Sequence, residues 1–173
     1  MKRQNHKASQ AAKERGFSLS ELLATVSIVG ILSSIALPSF TNQMERTKQN
    51  SMAASMEQLL VRIVSSKEEI GLPPESWKDL SNQAVIMTKT GPASANEGDL
   101  VNEITLSDGD YTVKRIDDLA DDDYFILEAL TSQRPERNVL GCIDLSTGAS
   151  DVKLGVNDSA TSAKATINDL ICK

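Results

Sequence analysis

Residues 16–40 read GFSLSELLATVSIVGILSSIALPSF, and in this stretch Glu21 is the only charge, while residues 22–44 carry none. A helix needs about 20 mostly apolar residues to cross the hydrocarbon core of a bilayer, so the run is long enough to span it. Upstream, the first sixteen residues hold Lys2, Arg3, Lys7, Lys13 and Arg15 against Glu14 alone, a local charge of +4. Basic flanks stay on the cytoplasmic side, so the chain that follows the run is expected to cross the membrane. That remainder, 157 residues, carries −10 within a net charge of −6 for the whole chain of 173 residues.

Composition removes several classes of function. Only six residues are aromatic, so the core must be aliphatic and a base-stacking platform for single-stranded nucleic acid is not expected. The acidic balance repels phosphate backbones, and no direct contact with nucleic acid is expected. One histidine, His6, and two cysteines, Cys142 and Cys172, supply no ligand set for zinc or an iron–sulfur cluster. There is no paired general acid and base, no phosphate-cradling glycine loop and no nucleophile motif. Neither an enzyme nor a bound cofactor or metal is expected.

Three fates suit such an N-terminus. A secretory signal would be cut behind the apolar run, where Ser34-Ile35-Ala36 offers a small-x-small site, although Pro38 follows closely and the run is long for that purpose. A plain anchor would keep the run and let Glu21 reach the headgroups. A leader cut in front of the run, between Gly16 and Phe17, would release residues 1–16 and leave the apolar helix at the new N-terminus.

The local pattern separates them. Gly16-Phe17-Ser18-Leu19-Ser20-Glu21-Leu22-Leu23, followed by an apolar helix with Gly30 and Pro38, resembles the N-terminal signature of type IV pilins and pseudopilins. The resemblance covers about residues 13–45. It implies that a prepilin peptidase cuts after Gly16, that Phe17 becomes the methylated N-terminus, and that Glu21 serves filament assembly, with Gly30 and Pro38 at helix-weakening positions. It departs from the usual pattern at Ser20, Ala24, Thr25 and Ser27, where larger aliphatic residues are common.

Physical reasons accompany these residues. Glycine before a scissile bond leaves an extended backbone unobstructed, and Lys13 and Arg15 hold that bond near the anionic membrane surface. A carboxylate costs about 2.5–3.5 kcal/mol at the centre of an inserted helix and less near its end, so a retained glutamate invites a partner. Cleavage would create a positive α-amino group at Phe17 for Glu21 of the same or a neighbouring subunit, a pair that fixes axial register more than it stabilises. Pro38 removes one internal hydrogen bond of the helix and makes it easier to bend or unwind near Gly30.

Past the apolar run, Met52, Met56, Leu59, Leu60, Ile63, Val64 and Ile70 recur at steps of three and four, a stripe that predicts an amphipathic continuation of the helix over residues 41–70. Gly71 and Pro73-Pro74 end it. One helix over residues 17–70 would measure about 80 Å at about 1.5 Å per residue.

Residues 71–173 read as a small β-rich head. Pro73-Pro74-Glu75-Ser76-Trp77 opens a short helical turn, and residues 91–98, from Gly91-Pro92 to Gly98, form a loop by composition. Strands are expected at about 101–107, 110–117, 123–130 and 138–145, with a weaker fifth near 150–154. Asp108-Gly109 and Ser146-Thr147-Gly148 are the turns, and such short connections favour an antiparallel meander. Trp77 is assigned to the core or a loop anchor. Asp117, Asp118, Asp121, Asp122 and Asp123 match no calcium-loop spacing and are read as a solvated acidic turn.

Cys142 and Cys172 lie where oxidation is permitted, so one disulfide is expected. In the chain-entropy model it closes about 30 residues and stabilises the head by about 3–4 kcal/mol. A C-terminal disulfide loop also resembles what many type IV pilins carry.

The fold expected is therefore α+β, a long N-terminal helix, transmembrane over 17–40 and amphipathic over 41–70, packed on a small antiparallel sheet. The resemblance implies a structural subunit held in the inner membrane as a precursor and then polymerised into an extracellular pilus for motility, adhesion or DNA uptake. Its partners would be copies of itself, other pilins, the prepilin peptidase, the membrane, and the assembly platform with its motor ATPase. The alternatives are a type II secretion pseudopilin and a tethered binding module that does not polymerise.

Overall fold

The computed structural model describes residues 16–116, 123–157 and 161–172. The leader positions before Gly16 and four of the five clustered aspartates, Asp117, Asp118, Asp121 and Asp122, lie outside the described residues. The chain divides into two compact units, one ending at Gln43 and the other beginning at Met44. Helix α1, Leu19–Ile70, contributes residues to both.

In the first unit the helix opens with a local cap. Ser18 precedes it, the Ser18 backbone N–H donates to Glu21 Oε2 at 2.8 Å, and the Glu21 N–H donates back to Ser18 Oγ at 3.3 Å. This is a capping box, which satisfies two of the N–H groups that a helix start leaves orphaned. The helix then runs through Pro38 without interruption.

In the second unit the stripe does what its spacing predicts. Met52, Met56, Leu59, Leu60 and Ile63 are buried, and Val64 is partly so. Ile70 departs from the expectation, standing 61% exposed at the last position of the helix.

Five strands form an antiparallel meander in chain order. They are β3 (Ile104–Thr105), β4 (Thr112–Arg115), β5 (Tyr124–Leu130), β6 (Val139–Asp144) and β7 (Ser150–Leu154). Each falls inside a predicted stretch, although within 101–107 only Ile104–Thr105 forms a strand, with Leu106 bridged singly to Thr88. The turns are those read from the sequence, with Gly109 at φ +72° and Gly148 at φ +76°, backbone that other residues adopt with strain. Gly91-Pro92, expected in a loop, is instead a short strand β2 (Gly91–Pro92) paired with β1 (Met87–Thr88). Pro92 is tolerated because so short a ladder asks little of its missing N–H. The remaining pair is β8 (Val156–Asn157) with β9 (Ser162–Ala163).

Both faces of the central strands are covered. Phe125, Leu127, Ala129, Val139 and Ile143 join the stripe of α1 in one core, together with Trp77, Leu80, Leu100, Tyr111 and Val113. Tyr124, Ile126, Leu140 and Cys142 face the other way and meet Ala165 and Cys172, with Ile167 and Leu170 beside them. The near-continuous apolar runs of β5 and β6 have this cause, since a strand buried on one side only would alternate. Gly141 permits the close approach of α1, because a Cβ there would sit 2.6 Å from Met56 Cγ.

Trp77 starts helix α2 (Trp77–Gln83), behind a Ser76–Asp79 capping box. Its ring is fully buried, and Nε1 donates to the Asn102 carbonyl at 2.9 Å. The sole tryptophan is thus a core anchor that holds the segment between helix and sheet.

Two predictions follow from packing and charge. Ile63→Ala should destabilise the folded chain by about 2–5 kcal/mol and Ile70→Ala by less than about 0.5 kcal/mol, measured by chemical denaturation in detergent micelles. Asp144, bound by the hydroxyls and N–H groups of Ser146 and Thr147, has its carboxyl pulled down to about 2. A lowered folded value stabilises above the unfolded value near 4 and loses that contribution as pH falls through about 2. The stability difference between wild type and Asp144→Ala should therefore be full at pH 6 and shrink steadily below pH 4 in denaturation curves.

Candidate functional site

Five of the sequence-predicted residues, Gly16, Phe17, Glu21, Gly30 and Pro38, lie in the first unit. Their surroundings are defined by exposed apolar side chains. Leu22, Leu23, Val26, Ile28, Val29, Ile31, Leu32, Ile35, Leu37 and Phe40 are each more than half exposed, and Phe17 is 86% exposed. Side chains at every angle around the helix are included. The helix contains an 18-residue window of mean hydropathy 1.9 with none of that window buried. Fully exposed apolar surface of this extent calls for lipid or for other apolar helices.

Four hydroxyls in or just beyond this segment bond back to its own carbonyls. Thr25 Oγ1 donates to the Leu22 carbonyl, Ser27 Oγ to that of Leu23, Ser34 Oγ to that of Ile31 and Thr41 Oγ1 to that of Pro38. Of the six serines in 24 residues, Ser27 and Ser34 bond back to the helix and Ser18 and Ser20 share a hydrogen bond, which lowers the cost of those hydroxyls in an apolar solvent. Pro38 has no N–H to give, which leaves the Ser34 carbonyl without its i+4 donor and marks the weakest turn. Gly30 is helical, and a Cβ built there meets no atom within 4 Å, so nothing within the chain itself requires glycine at this position.

Glu21 sits one turn inside the helix with its carboxylate engaged by Ser18. Besides the backbone N–H, the Ser18 hydroxyl donates to Glu21 Oε2 at 2.9 Å. The sequence carries this arrangement openly as Ser18-Leu19-Ser20-Glu21, the S-x-x-E spacing of a capping box. That reading of the same four residues supplements their motif.

The second unit brings the cysteines together. Cys142, in the middle of β6, and Cys172 form a disulfide with Cα atoms 6.1 Å apart, joining positions 30 residues apart. Both are buried. Of the clustered aspartates, Asp123 is described and pairs with Lys67 of α1. At the preceding turn Asp110 pairs with Lys48 at 2.9 Å. These acids tie the sheet to the helix.

Sequence reading missed one group. Gln49, Arg137 and Asn138 are buried to 4%, 3% and 1% exposure and bond to one another and to the C-terminal segment. Gln49 stands three residues before Met52 on the buried stripe, and that spacing is the one signal that marks it in the sequence. Arg137 and Asn138 follow Arg134-Pro135-Glu136, where nothing in the pattern distinguishes a buried arginine from a surface one.

Comparison with known proteins agrees with the motif. Residues 11–37 match the family model described as the prokaryotic N-terminal methylation motif. The type IV major pilin protein PilA of Myxococcus xanthus (strain DK1622) is 34% identical over 73 residues, an alignment covering 36% of this chain and 33% of that protein. The chain thus spans about a third of the length of the relative it matches. No solved structure matches the chain. The chain therefore carries the prokaryotic N-terminal methylation motif and is similar over part of its length to a type IV pilin, and its long helix with a small antiparallel sheet is a type IV pilin-like architecture.

Proposed function

We propose that the chain is a precursor cut between Gly16 and Phe17, anchored in the inner membrane by residues 17–40, and then polymerised through that helix into an extracellular type IV pilus. The observation that carries this reading is the charge-free apolar stretch from residue 22 to residue 40, exposed all round and placed directly after the cleavage motif. One surface then serves two apolar environments in turn, acyl chains in the precursor and neighbouring helices in the fibre.

Glu21 is the residue that sets position in the fibre. As a precursor it is held by Ser18, a contact that requires no partner chain. Once Phe17 becomes a free N-terminus, its ammonium supplies a stronger, charged partner, and among packed helices such a pair specifies axial register. Gly30 offers the close backbone approach that packed apolar helices use, and Pro38 supplies a turn that bends or unwinds as the helix leaves lipid. The prepilin peptidase, the assembly platform with its motor ATPase, and copies of this chain or other pilins are the partners this reading requires.

Processing is tested by replacing Gly16 with leucine. The uncut precursor should accumulate in membranes, while N-terminal sequencing of the wild-type chain should return Phe17, methylated. A mature-length product from Gly16→Leu would place the cut elsewhere. Assembly is tested by Glu21→Ala, which should leave the mature length unchanged and reduce sheared surface filaments at least about tenfold, counted by immunogold labelling. Fibres of normal abundance would remove Glu21 from assembly, and labelled material confined to the periplasm would favour a secretion pseudopilin.

A further inference from the structure

The disulfide is the visible fastener of the C-terminal segment, yet a second one is buried beside it. Asn138 Nδ2 donates to the Ala165 carbonyl at 2.9 Å, and the Ala165 N–H donates back to Asn138 Oδ1 at 2.8 Å. Gly155 N–H donates to the Asn138 carbonyl at 2.9 Å. Gln49 Nε2, from α1, donates to the carbonyls of Gly155 at 2.8 Å and Asn138 at 3.3 Å. Arg137 Nη1 donates to Gln49 Oε1 at 3.2 Å, and Nη2 to the Asn157 carbonyl at 2.9 Å. The helix and the residues at the start of β6 are thus tied at one point to Gly155, Asn157 and Ala165.

We propose that this cluster is a folding jig, which docks Gly155, Asn157 and Ala165 before oxidation and so brings Cys172 to Cys142. The proposal concerns the head of the single chain and does not rest on the filament reading.

The argument is one of unpaired groups and chain length. Gln49, Arg137 and Asn138 are almost wholly buried, and a buried polar group without a partner is heavily penalised. Arg137 also faces Glu45 at 3.4 Å, but the bonds to Gly155, Asn157 and Ala165 are main-chain contacts that form only when the C-terminal segment is docked, whether or not the sulfurs are joined. Docking also shortens the search. Between the two cysteines lie 30 residues of sequence separation. From Asn138, fixed at the edge of β6, Cys142 is held by the sheet, so once Ala165 is pinned only about seven residues of free chain lead to Cys172. Loop-closure scaling turns that shortening into roughly a tenfold rise in local thiol concentration, from the millimolar range of a flexible tether. Gly155 is part of the same device. A Cβ there would overlap the Glu136 carbonyl and lie 2.5 Å from Asn138 Oδ1, so only glycine lets the segment close onto the cluster.

The chemistry is thiol–disulfide exchange with a small-molecule disulfide as oxidant. One cysteine thiolate attacks a sulfur of the oxidant, its S–S bond breaks and one thiolate leaves. The second cysteine thiolate then attacks the mixed disulfide, forming the Cys142–Cys172 bond and releasing the other thiolate. Two electrons pass to the oxidant, and the two protons from the protein thiols end on the two departing thiols.

The test uses the full chain in detergent micelles, reduced and equilibrated with glutathione and glutathione disulfide. The effective concentration of the thiol pair should be at least about tenfold lower in Asn138→Leu and in Gly155→Ala than in wild type, with Trp77 fluorescence reporting that the main core stays folded. Values within twofold of wild type in both variants overturn the proposal. Should either variant unfold the core, amide exchange of the reduced wild-type chain decides. Slow exchange at the Ala165 N–H means the segment is docked without the disulfide, whereas exchange at the rate of an unfolded chain means the disulfide alone holds it and the jig does not exist.

Discussion

The rest of this structure depends on a helix whose first half is apolar and exposed around its whole circumference. From residue 22 to residue 40 the side chains are apolar or small, none is charged, and the large ones stand exposed on every side. In water such a surface is held open against the hydrophobic effect, so the segment belongs in lipid or among other apolar helices. Its polar features suit that environment. The hydroxyls bond back to the helix, and Glu21 is held by Ser18 at the end where a carboxylate costs least.

The second half of the same helix obeys the opposite rule. From Met52 to Ile63 apolar residues occupy one stripe, and that stripe is buried against the sheet. Gly141 in the central strand lets the helix come close, and Gln49 extends the buried stripe with a polar side chain that reaches the other end of the sequence. The sheet is consequently covered twice, by the helix on one face and by the C-terminal segment on the other. This double cover makes a head of modest size possible with few aromatic residues, because the apolar positions of β5 and β6 contribute on both faces.

Much of this was legible without coordinates. The apolar run, the stripe, the Asp108-Gly109 and Ser146-Thr147-Gly148 turns and the strand order are local signals, and local periodicity is what a sequence displays most directly. Boundaries were less so. The stretch at 101–107 forms a strand over two residues only, Gly91-Pro92 joins a short ladder in place of a loop, and Ile70 stands exposed at the end of the helix. In each case what decides is whether a neighbouring segment happens to lie alongside, and spacing along the chain does not encode that.

The sequence by itself determined the apolar run, the motif in front of it, the class of fold and the two cysteines available for one pairing, because each follows from composition or from residues close together in the chain. Only the tertiary structure decided what lies between Cys142 and Cys172 and why it stays there. The burial of Arg137 and Asn138, and the way they bond to Gly155, Asn157 and Ala165, arise from contacts between segments far apart in sequence. A buried polar side chain looks like a surface one until the groups that satisfy it are in place, and those groups are backbone atoms, which every residue carries and no sequence pattern announces.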